Sequence, residues 1–336
     1  MLALLCGGQG RLSAQMFDLV AEQPLAGPIF AETGALLGRD PRDLVRSGDH
    51  EALLSNRTSQ ILSVCAALAT CACLAEALPA EVAVAGYSVG EMAAWAIAGA
   101  WTAETSLRLT DRRARAMDAA DGGAGGLGYV RGLARPAVEA LARGHGCAIA
   151  IVNPERLFVV GGKREDVAAL CRAAEFLGAK AAPLEVRVAS HTPRLAAAVT
   201  PFQAALESSR PANPASGRRL FAGGQGTRIF QTAGAIPDLA AQVARPLDWA
   251  AALEALGEAG VDRLLDLGPG HALADMARTA LPQTRSYAAD AFHSLEGLRA
   301  WLAAPAGARV LNDGETPGDA CRRLSQKEKD DDDRQT

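Results

Sequence analysis

Short apolar runs alternate along this chain with longer segments in which apolar residues recur at helical spacing. An apolar run over residues 2–6 is followed by helical segments as far as Ala77, by a second apolar run over residues 82–85, and by further helical segments. Short apolar runs are typical of buried strands, and helices between them allow neighbouring strands to be parallel. The pattern therefore predicts an α/β fold with a mostly parallel sheet.

A glycine-rich stretch over residues 122–128 interrupts this alternation, and a different order of elements follows it. The segments after it are predicted as strand, helix, strand, strand, helix and strand, with helices near Pro136 and Arg164 and a last strand over PLEVRV at 183–188. This β-α-β-β-α-β order is that of a ferredoxin-like unit. The α/β alternation then resumes.

The chain is therefore predicted to contain one domain inserted into another. A large α/β-hydrolase-like domain takes residues 1–124 and 189–304, and a small ferredoxin-like α+β domain takes residues 125–188. From residue 305 the sequence is polar and ends QKEKDDDDRQT, a composition with too little apolar surface to form a core. Residues 305–336 are predicted to be a disordered tail.

Composition and charge narrow the classes of function. The 336 residues include 34 Lys plus Arg against 38 Asp plus Glu, a net charge of −4 that provides no basic footprint for nucleic acid. The seven cysteines are odd in number, and in a chain of this length they do not indicate a disulfide framework. We predict no nucleic-acid partner and a reducing, cytoplasmic location.

One apolar segment, residues 61–78, has the length of a membrane span. It carries Ser63, Thr70 and Glu76, however, and a helix that is apolar nearly all round is also typical of the centre of a large α/β domain. The apolar stretch at residues 2–6 is too short for a secretory signal and has no basic region before it. No membrane association is therefore predicted.

The segment Gly86-Tyr87-Ser88-Val89-Gly90 follows the run over 82–85 and opens a predicted helix. A G-x-S-x-G sequence between a strand and a helix is typical of a nucleophile elbow, whose tight turn leaves no room for a Cβ at the two glycines. The serine hydroxyl then lies at the helix N-terminus, where backbone N–H groups can stabilise a developing oxyanion. Ser88 is therefore a candidate nucleophile, and a plain tight turn is the alternative.

A serine nucleophile needs a base within hydrogen-bond distance. The chain has five candidates, His50, His145, His191, His271 and His293. His191 follows an apolar run and precedes a predicted helix, and strand ends of α/β sheets commonly present functional side chains. The sequence favours His191.

Arg113 stands out within its predicted helix. Arg108 and Arg115 each have an acidic residue four positions earlier, whereas Arg113 has Leu109 and Met117 four positions away. An arginine on an apolar stripe needs an anion from elsewhere, and guanidinium is suited to bidentate binding of a carboxylate. That anion is either part of a substrate or a distant Asp or Glu of the chain.

Five segments of the chain occur in an order that resembles the malonyl-CoA:acyl-carrier-protein transacylases over about residues 3–303. They are Gly8-Gln9-Gly10, GYSVGE at 86–91, Arg113, Ser190-His191 and Gly268-Pro269-Gly270. The resemblance implies that Ser88 is the nucleophile and His191 its base. It implies that the backbone N–H groups of Gln9 and Val89 form the oxyanion hole, and that Arg113 binds the malonyl carboxylate.

The resemblance also implies roles for Gln242 and Asn153. It implies that the carbonyl of Gln242 orients the histidine in place of a triad aspartate, and that Asn153 lies near the substrate. The sequence departs from the family at Tyr87, where histidine is usual, and at Arg245, where asparagine is usual. The tyrosine in the elbow and the opening LLCGGQG most resemble the malonyl-transferase (epsilon) subunits of bacterial malonate decarboxylases.

The implied activity is transfer of a malonyl group from malonyl-CoA, through a malonyl-serine ester, to the thiol of an acyl carrier protein. Malonyl-CoA is then a substrate, the phosphopantetheine-type arm belongs to the carrier, and no cofactor or metal of the chain's own is implied. Other decarboxylase subunits are possible partners. The alternatives are a fatty-acid-synthesis transacylase, a serine hydrolase or esterase with the same Ser-His pair, and a non-catalytic scaffold.

Overall fold

The computed structural model describes residues 1–10 and 12–304, so the predicted tail at 305–336 lies outside the described residues. The strands are β1 (Leu2–Cys6), β2 (Val82–Gly86), β3 (Gly125–Arg131), β4 (Ala148–Asn153), β5 (Leu157–Lys163), β6 (Lys180–Pro183), β7 (Arg218–Phe221), β8 (Arg228–Ile229), β9 (Leu247–Asp248), β10 (Arg263–Asp266) and β11 (Arg285–Ala288). They form two mixed sheets, and the predicted α/β fold class is confirmed.

Helices account for most of the remaining chain. They are α1 (Gly27–Leu37), α2 (Pro41–Arg46), α3 (His50–Leu54), α4 (Asn56–Leu74), α5 (Gly90–Ile97), α6 (Ala103–Asp121), α7 (Arg135–Gly144), α8 (Arg164–Phe176), α9 (Ala196–Ser208), α10 (Thr232–Ala241), α11 (Trp249–Glu258), α12 (Ala272–Ala280) and α13 (Leu295–Ala303). Short 3₁₀ turns adjoin several of them.

The larger sheet has the strand order β11-β10-β1-β2-β7-β8. Its first five strands are parallel, and only β8 runs antiparallel to its neighbour. The carboxyl ends of the central strands β1 and β2 lead directly into Gly8 and Ser88. This is the edge at which parallel sheets present functional loops.

The smaller sheet has the order β6-β3-β5-β4-β9. Its first four strands follow the predicted ferredoxin-like order and are antiparallel. The prediction of a last strand over 183–188 is wrong, because β6 ends at Pro183. Leu184 and Val186 instead pack against the core between the two sheets, which explains the apolar alternation without a strand.

Strand β9, which comes from the chain after His191, extends this smaller sheet parallel to β4. One face of the sheet carries Val130 and Phe158 and packs on α7 and α8. The opposite face carries Leu127 and Ile151 and shares a core with β1 and Trp249. The two sheets therefore share a hydrophobic core, and the division at 125–188 stays a prediction.

Within the described part of the chain, one helical segment, Asn56–Ala77, is long and apolar enough to cross a membrane. Its most apolar window is 78% buried inside the protein. It includes α4, which packs against α1, α5 and α6. This segment is therefore a central helix of the larger unit, as its sequence predicts.

Candidate active site

The elbow at Ser88 is built as the sequence predicts. Ser88 lies between β2 and α5 with φ of 55°, a left-handed conformation uncommon in residues other than glycine. A Cβ on Gly86 would lie 2.2 Å from the Glu91 nitrogen, and one on Gly90 would lie 2.1 Å from the Cys6 oxygen. The two glycines are therefore required by close backbone contacts.

Ser88 Oγ lies 2.7 Å from His191 Nε2, and both residues are buried. His191 is also left-handed, with φ of 61°, and its backbone N–H donates to the carbonyl of Val243 at 2.8 Å. His191 is the only one of the five histidines within hydrogen-bond distance of Ser88. The structure thus brings together the predicted nucleophile and the favoured base.

The other ring nitrogen of His191, Nδ1, lies 2.7 Å from the backbone carbonyl oxygen of Gln242. Because a carbonyl only accepts, Nδ1 carries the proton and Nε2 is free to accept the proton of Ser88. Burial, reinforced by the positive charge of Arg113, lowers the pKa of His191 to about 3. The imidazole is therefore neutral, as a general base must be.

Glu91 holds the side chain of Gln242. Gln242 Nε2 donates to Glu91 Oε2 at 2.6 Å, and the backbone N–H of Gly223 donates to the same oxygen at 3.1 Å. Burial raises the pKa of Glu91 to about 7. Glu91 is not among the site residues predicted from the sequence, although a buried acid directly after Gly90 of the elbow needs a partner.

Arg113 lies on α6 and is only 1% exposed to solvent. Its Nη1 donates to Gln60 Oε1 at 2.5 Å, and its Nη2 has no hydrogen-bond partner within the described residues. Burial lowers the pKa of Arg113 to about 10, partly offset by Glu91. No carboxylate of residues 1–10 and 12–304 forms an ion pair with it, so the alternative of a distant protein acid is not supported.

Gln60 belongs to a chain of hydrogen-bonded polar side chains that are not among the site residues predicted from the sequence. Its Nε2 donates to Asn56 Oδ1 at 2.7 Å, and Gln9 Nε2 donates to the same oxygen at 3.1 Å. Asn56 and Gln60 are one turn apart on α4, both buried, immediately before its apolar run. Two polar residues at that spacing are the signal that could have identified them.

The segment after β1 lies against the elbow. A Cβ on Gly8 would lie 2.8 Å from the Tyr87 backbone oxygen and 3.5 Å from Ser88 Cβ. Across the part of the chain that the structure describes, the backbone N–H groups of Gln9 and Val89 donate to no acceptor. Two free amides beside a serine can stabilise an oxyanion.

Asn153 ends β4 and is buried, and its Oδ1 has no partner among the described residues. The side chain lies beside the hydroxyl of Tyr87, whose pKa is raised to about 12 by burial. Tyr87 also meets the Trp249 ring edge to face, with centroids 5.3 Å apart. Tyr87, the residue before Ser88, and Asn153 both line a cavity of about 440 Å³.

Comparison with known families identifies the core of this arrangement. Residues 39–226 match the model of the acyl transferase domain. A malonyl CoA-acyl carrier protein transacylase of Haemophilus influenzae is 30% identical over 288 residues, which cover 81% of this chain and 89% of that protein. One from Salmonella typhimurium is 29% identical and covers 81% of this chain and 90% of that protein.

Solved structures agree with this family match. The MCAT protein of Mycobacterium tuberculosis superposes with a TM-score of 0.79 at 26% identity, covering 90% of this chain and 100% of that one. A malonyl-transacylase in complex with a type II polyketide synthase acyl-carrier protein superposes with a TM-score of 0.80, also at 26% identity, covering 90% and 98%.

Proposed function

The chain belongs to the acyl transferase domain family, and from that premise we propose that it transfers a malonyl group from malonyl-CoA to the thiol of an acyl carrier protein. The observation that carries the proposal is the pairing of Ser88 with a neutral His191, with the unpartnered guanidinium nitrogen of Arg113 close enough to affect the charge of that histidine. The names of the relatives support malonyl as the acyl group.

In the first half-reaction, His191 Nε2 takes the proton from Ser88 as Oγ attacks the thioester carbonyl. The carbonyl oxygen becomes negative and is stabilised by the N–H groups of Gln9 and Val89. The tetrahedral intermediate collapses, the C–S bond breaks, and the proton on His191 passes to the leaving sulfur of CoA. A malonyl ester of Ser88 remains.

In the second half-reaction, the thiol of the carrier's phosphopantetheine-type arm attacks this ester. His191 takes the thiol proton and returns it to Ser88 Oγ as the ester bond breaks. Because His191 Nδ1 is bound by the carbonyl of Gln242, the ring keeps the tautomer and orientation required in both directions.

Arg113 would select malonyl over acetyl. The unpartnered Nη2 can receive the free carboxylate of the malonyl group, whereas an acetyl group leaves the buried guanidinium without an anion. The difference is about 2 to 4 kcal/mol in transition-state binding. Asn153, whose Oδ1 has no hydrogen-bond partner among the described residues, lines the cavity and would contact the substrate there.

We further propose that the chain acts as the malonyl-transferase subunit of a malonate decarboxylase, with the other subunits as partners. Tyr87 in the elbow and the LLCGGQG segment at residues 4–10 support this assignment. The alternative, a fatty-acid-synthesis transacylase, is supported by the names of the relatives.

A competition between two acceptor proteins tests both the malonyl transfer and the assignment to a malonate decarboxylase. Purified protein is mixed with labelled malonyl-CoA and equal amounts of a malonate decarboxylase carrier subunit and a fatty-acid-synthesis carrier protein. Preferential labelling of the decarboxylase carrier is expected. Preference for the other carrier would support the alternative, and label released as free malonate without either carrier would indicate a hydrolase.

A further inference from the structure

The cavity beside Tyr87 is bordered by two cations that lie directly opposite each other. Arg131 on β3 is in register with Lys180 on β6, and both side chains are exposed. Directly opposite residues of antiparallel strands have Cβ atoms about 4.5 to 5.5 Å apart, and like charges in that position are destabilising. The fold therefore maintains an unfavourable pair at this place.

Among the described residues, no protein group relieves this repulsion. Across residues 1–10 and 12–304, neither Arg131 nor Lys180 forms an ion pair or a side-chain hydrogen bond, although Arg135 nearby pairs with Glu139. Lys180 lies on the edge strand β6, where a lysine can be explained by protection of the edge against aggregation. That explanation does not extend to Arg131, because β3 is an inner strand.

The cavity connects these cations to the elbow. Alternate residues of β3 share one face, and along it Leu127 is buried, Tyr129 is half-buried and Arg131 is exposed. Arg131 is four residues from Leu127, about 13 Å along the strand. The cavity wall is thus apolar and aromatic near Tyr87 and cationic at its outer end, where Arg131 and Lys180 line it.

We propose that Arg131 and Lys180 bind the phosphate of the pantetheine-type thioester whose sulfur end reaches Ser88. This assignment rests on the proposed malonyl transfer. A phosphate oxygen accepts charge-assisted hydrogen bonds from both guanidinium and ammonium groups, and its negative charge removes the repulsion between them. The same phosphate chemistry occurs in CoA and in the carrier's arm, so either substrate can supply the anion.

The test uses two thioesters that differ in the phosphate. Acylation of the full-length protein is measured with malonyl-CoA and with malonyl-N-acetylcysteamine, which lacks phosphate, in wild type and in the double variant Arg131→Ala/Lys180→Ala. The KM ratio of malonyl-CoA to the truncated thioester should rise about tenfold in the double variant. Added salt should raise the wild-type KM for malonyl-CoA and have little effect on the variant.

The matched control is Lys163→Ala/Arg172→Ala, which removes the same charges from exposed positions that do not line the cavity. Its KM ratio should equal that of wild type. The anion site would be overturned if the Arg131→Ala/Lys180→Ala variant kept the wild-type KM ratio, or if the control variant showed the same rise in that ratio. If neither thioester acylates the wild-type protein, the proposed function itself fails. That outcome is distinct from a failure of the anion site alone.

A second arm identifies the source of the phosphate. With Ser88 already malonylated, the KM for holo carrier protein is measured in the same variants. If the double variant raises only the KM for malonyl-CoA, the cations bind the phosphate of the donor. If it raises only the KM for the carrier, they bind the phosphate of the acceptor arm. If both KM values rise, they bind each phosphate in turn. No rise in either half-reaction contradicts the proposal.

Discussion

At the scale of single residues, the site depends on buried polar groups whose partners come from distant parts of the chain. Ser88 and His191 are 103 positions apart, and Gln242 and Glu91 are 151 apart. The elbow could be predicted because a local motif carries it. The contacts of Gln60 and Glu91 could not be predicted, because nothing in their local sequence shows that the fold brings Arg113 to one and Gln242 to the other.

Arg113 permits a direct test of acyl-group selection. Arg113→Ala should lower kcat/KM for malonyl-CoA by about 30- to 1000-fold while that for acetyl-CoA changes little, because only malonyl has the carboxylate that the guanidinium would bind. The measured quantity is the ratio of the two kcat/KM values, which is independent of the amount of folded protein. An unchanged ratio would remove Arg113 from selection.

Glu91 should make stability depend on pH. Burial raises its pKa from 4.5 in a model compound to about 7 in the folded protein, so the folded state holds this proton more tightly than the unfolded chain. Its contribution to the free energy of unfolding is therefore complete below pH 4.5 and is lost as the pH rises through about 7.

Glu91→Gln keeps an oxygen that can accept from Gln242 and removes the titration. Between about pH 5 and about pH 8, the variant should lose about 2 to 3 kcal/mol less stability than wild type in chemical denaturation. Asp266, whose pKa burial also raises to about 7, is present in both proteins and cancels in the comparison. Parallel pH profiles would contradict this account of Glu91.

At the scale of elements, the strands and helices of clear periodicity are where the sequence predicts them. The strand at 82–85, the helices near Pro136 and Arg164, and the final helix are all present. The strands that were missed are short: β8 and β9 have two residues each and β11 has four, too few for a clear periodicity. The error at 183–188 has the opposite cause, because packing alone produced an alternation there.

The elbow element should be intolerant of a single methyl group. Gly90→Ala places a Cβ 2.1 Å from the Cys6 oxygen, so β1 or α5 must move, and we expect a loss of about 3 kcal/mol or more in the free energy of unfolding. Gly234→Ala is the matched control, since that helical position has open space and should gain about 0.5 to 1 kcal/mol. Equal stability of the two variants would contradict the crowding argument.

At the scale of the whole molecule, the cavity lined by Tyr87 has walls that come from the chain of both sheets. Tyr87 follows a strand of the larger sheet, and Asn153 ends a strand of the smaller one. The ferredoxin-like order of the smaller sheet could be predicted from its elements. Its attachment could not, because it depends on β9 and on the core shared through Trp249.

Trp249 should therefore couple stability to activity. It is fully buried and contacts Tyr87, so Trp249→Ala should lower the free energy of unfolding by about 3 to 5 kcal/mol and also reduce acylation of Ser88. Trp249→Phe keeps a ring there and removes an indole N–H that has no acceptor among the described residues, so it should lose less. Chemical denaturation of both variants checks this, and a loss below about 1 kcal/mol for Trp249→Ala would contradict the shared core.

The central claim is that Ser88 carries the malonyl group and passes it to a thiol rather than to water. Intact-protein mass spectrometry after brief mixing with malonyl-CoA tests it most directly, with Ser88→Ala as control and a chase with holo carrier protein. A malonyl adduct is expected that persists in buffer, is absent from Ser88→Ala and is discharged by the carrier. An adduct that water removes as quickly without carrier, or one that persists in Ser88→Ala, would contradict the account.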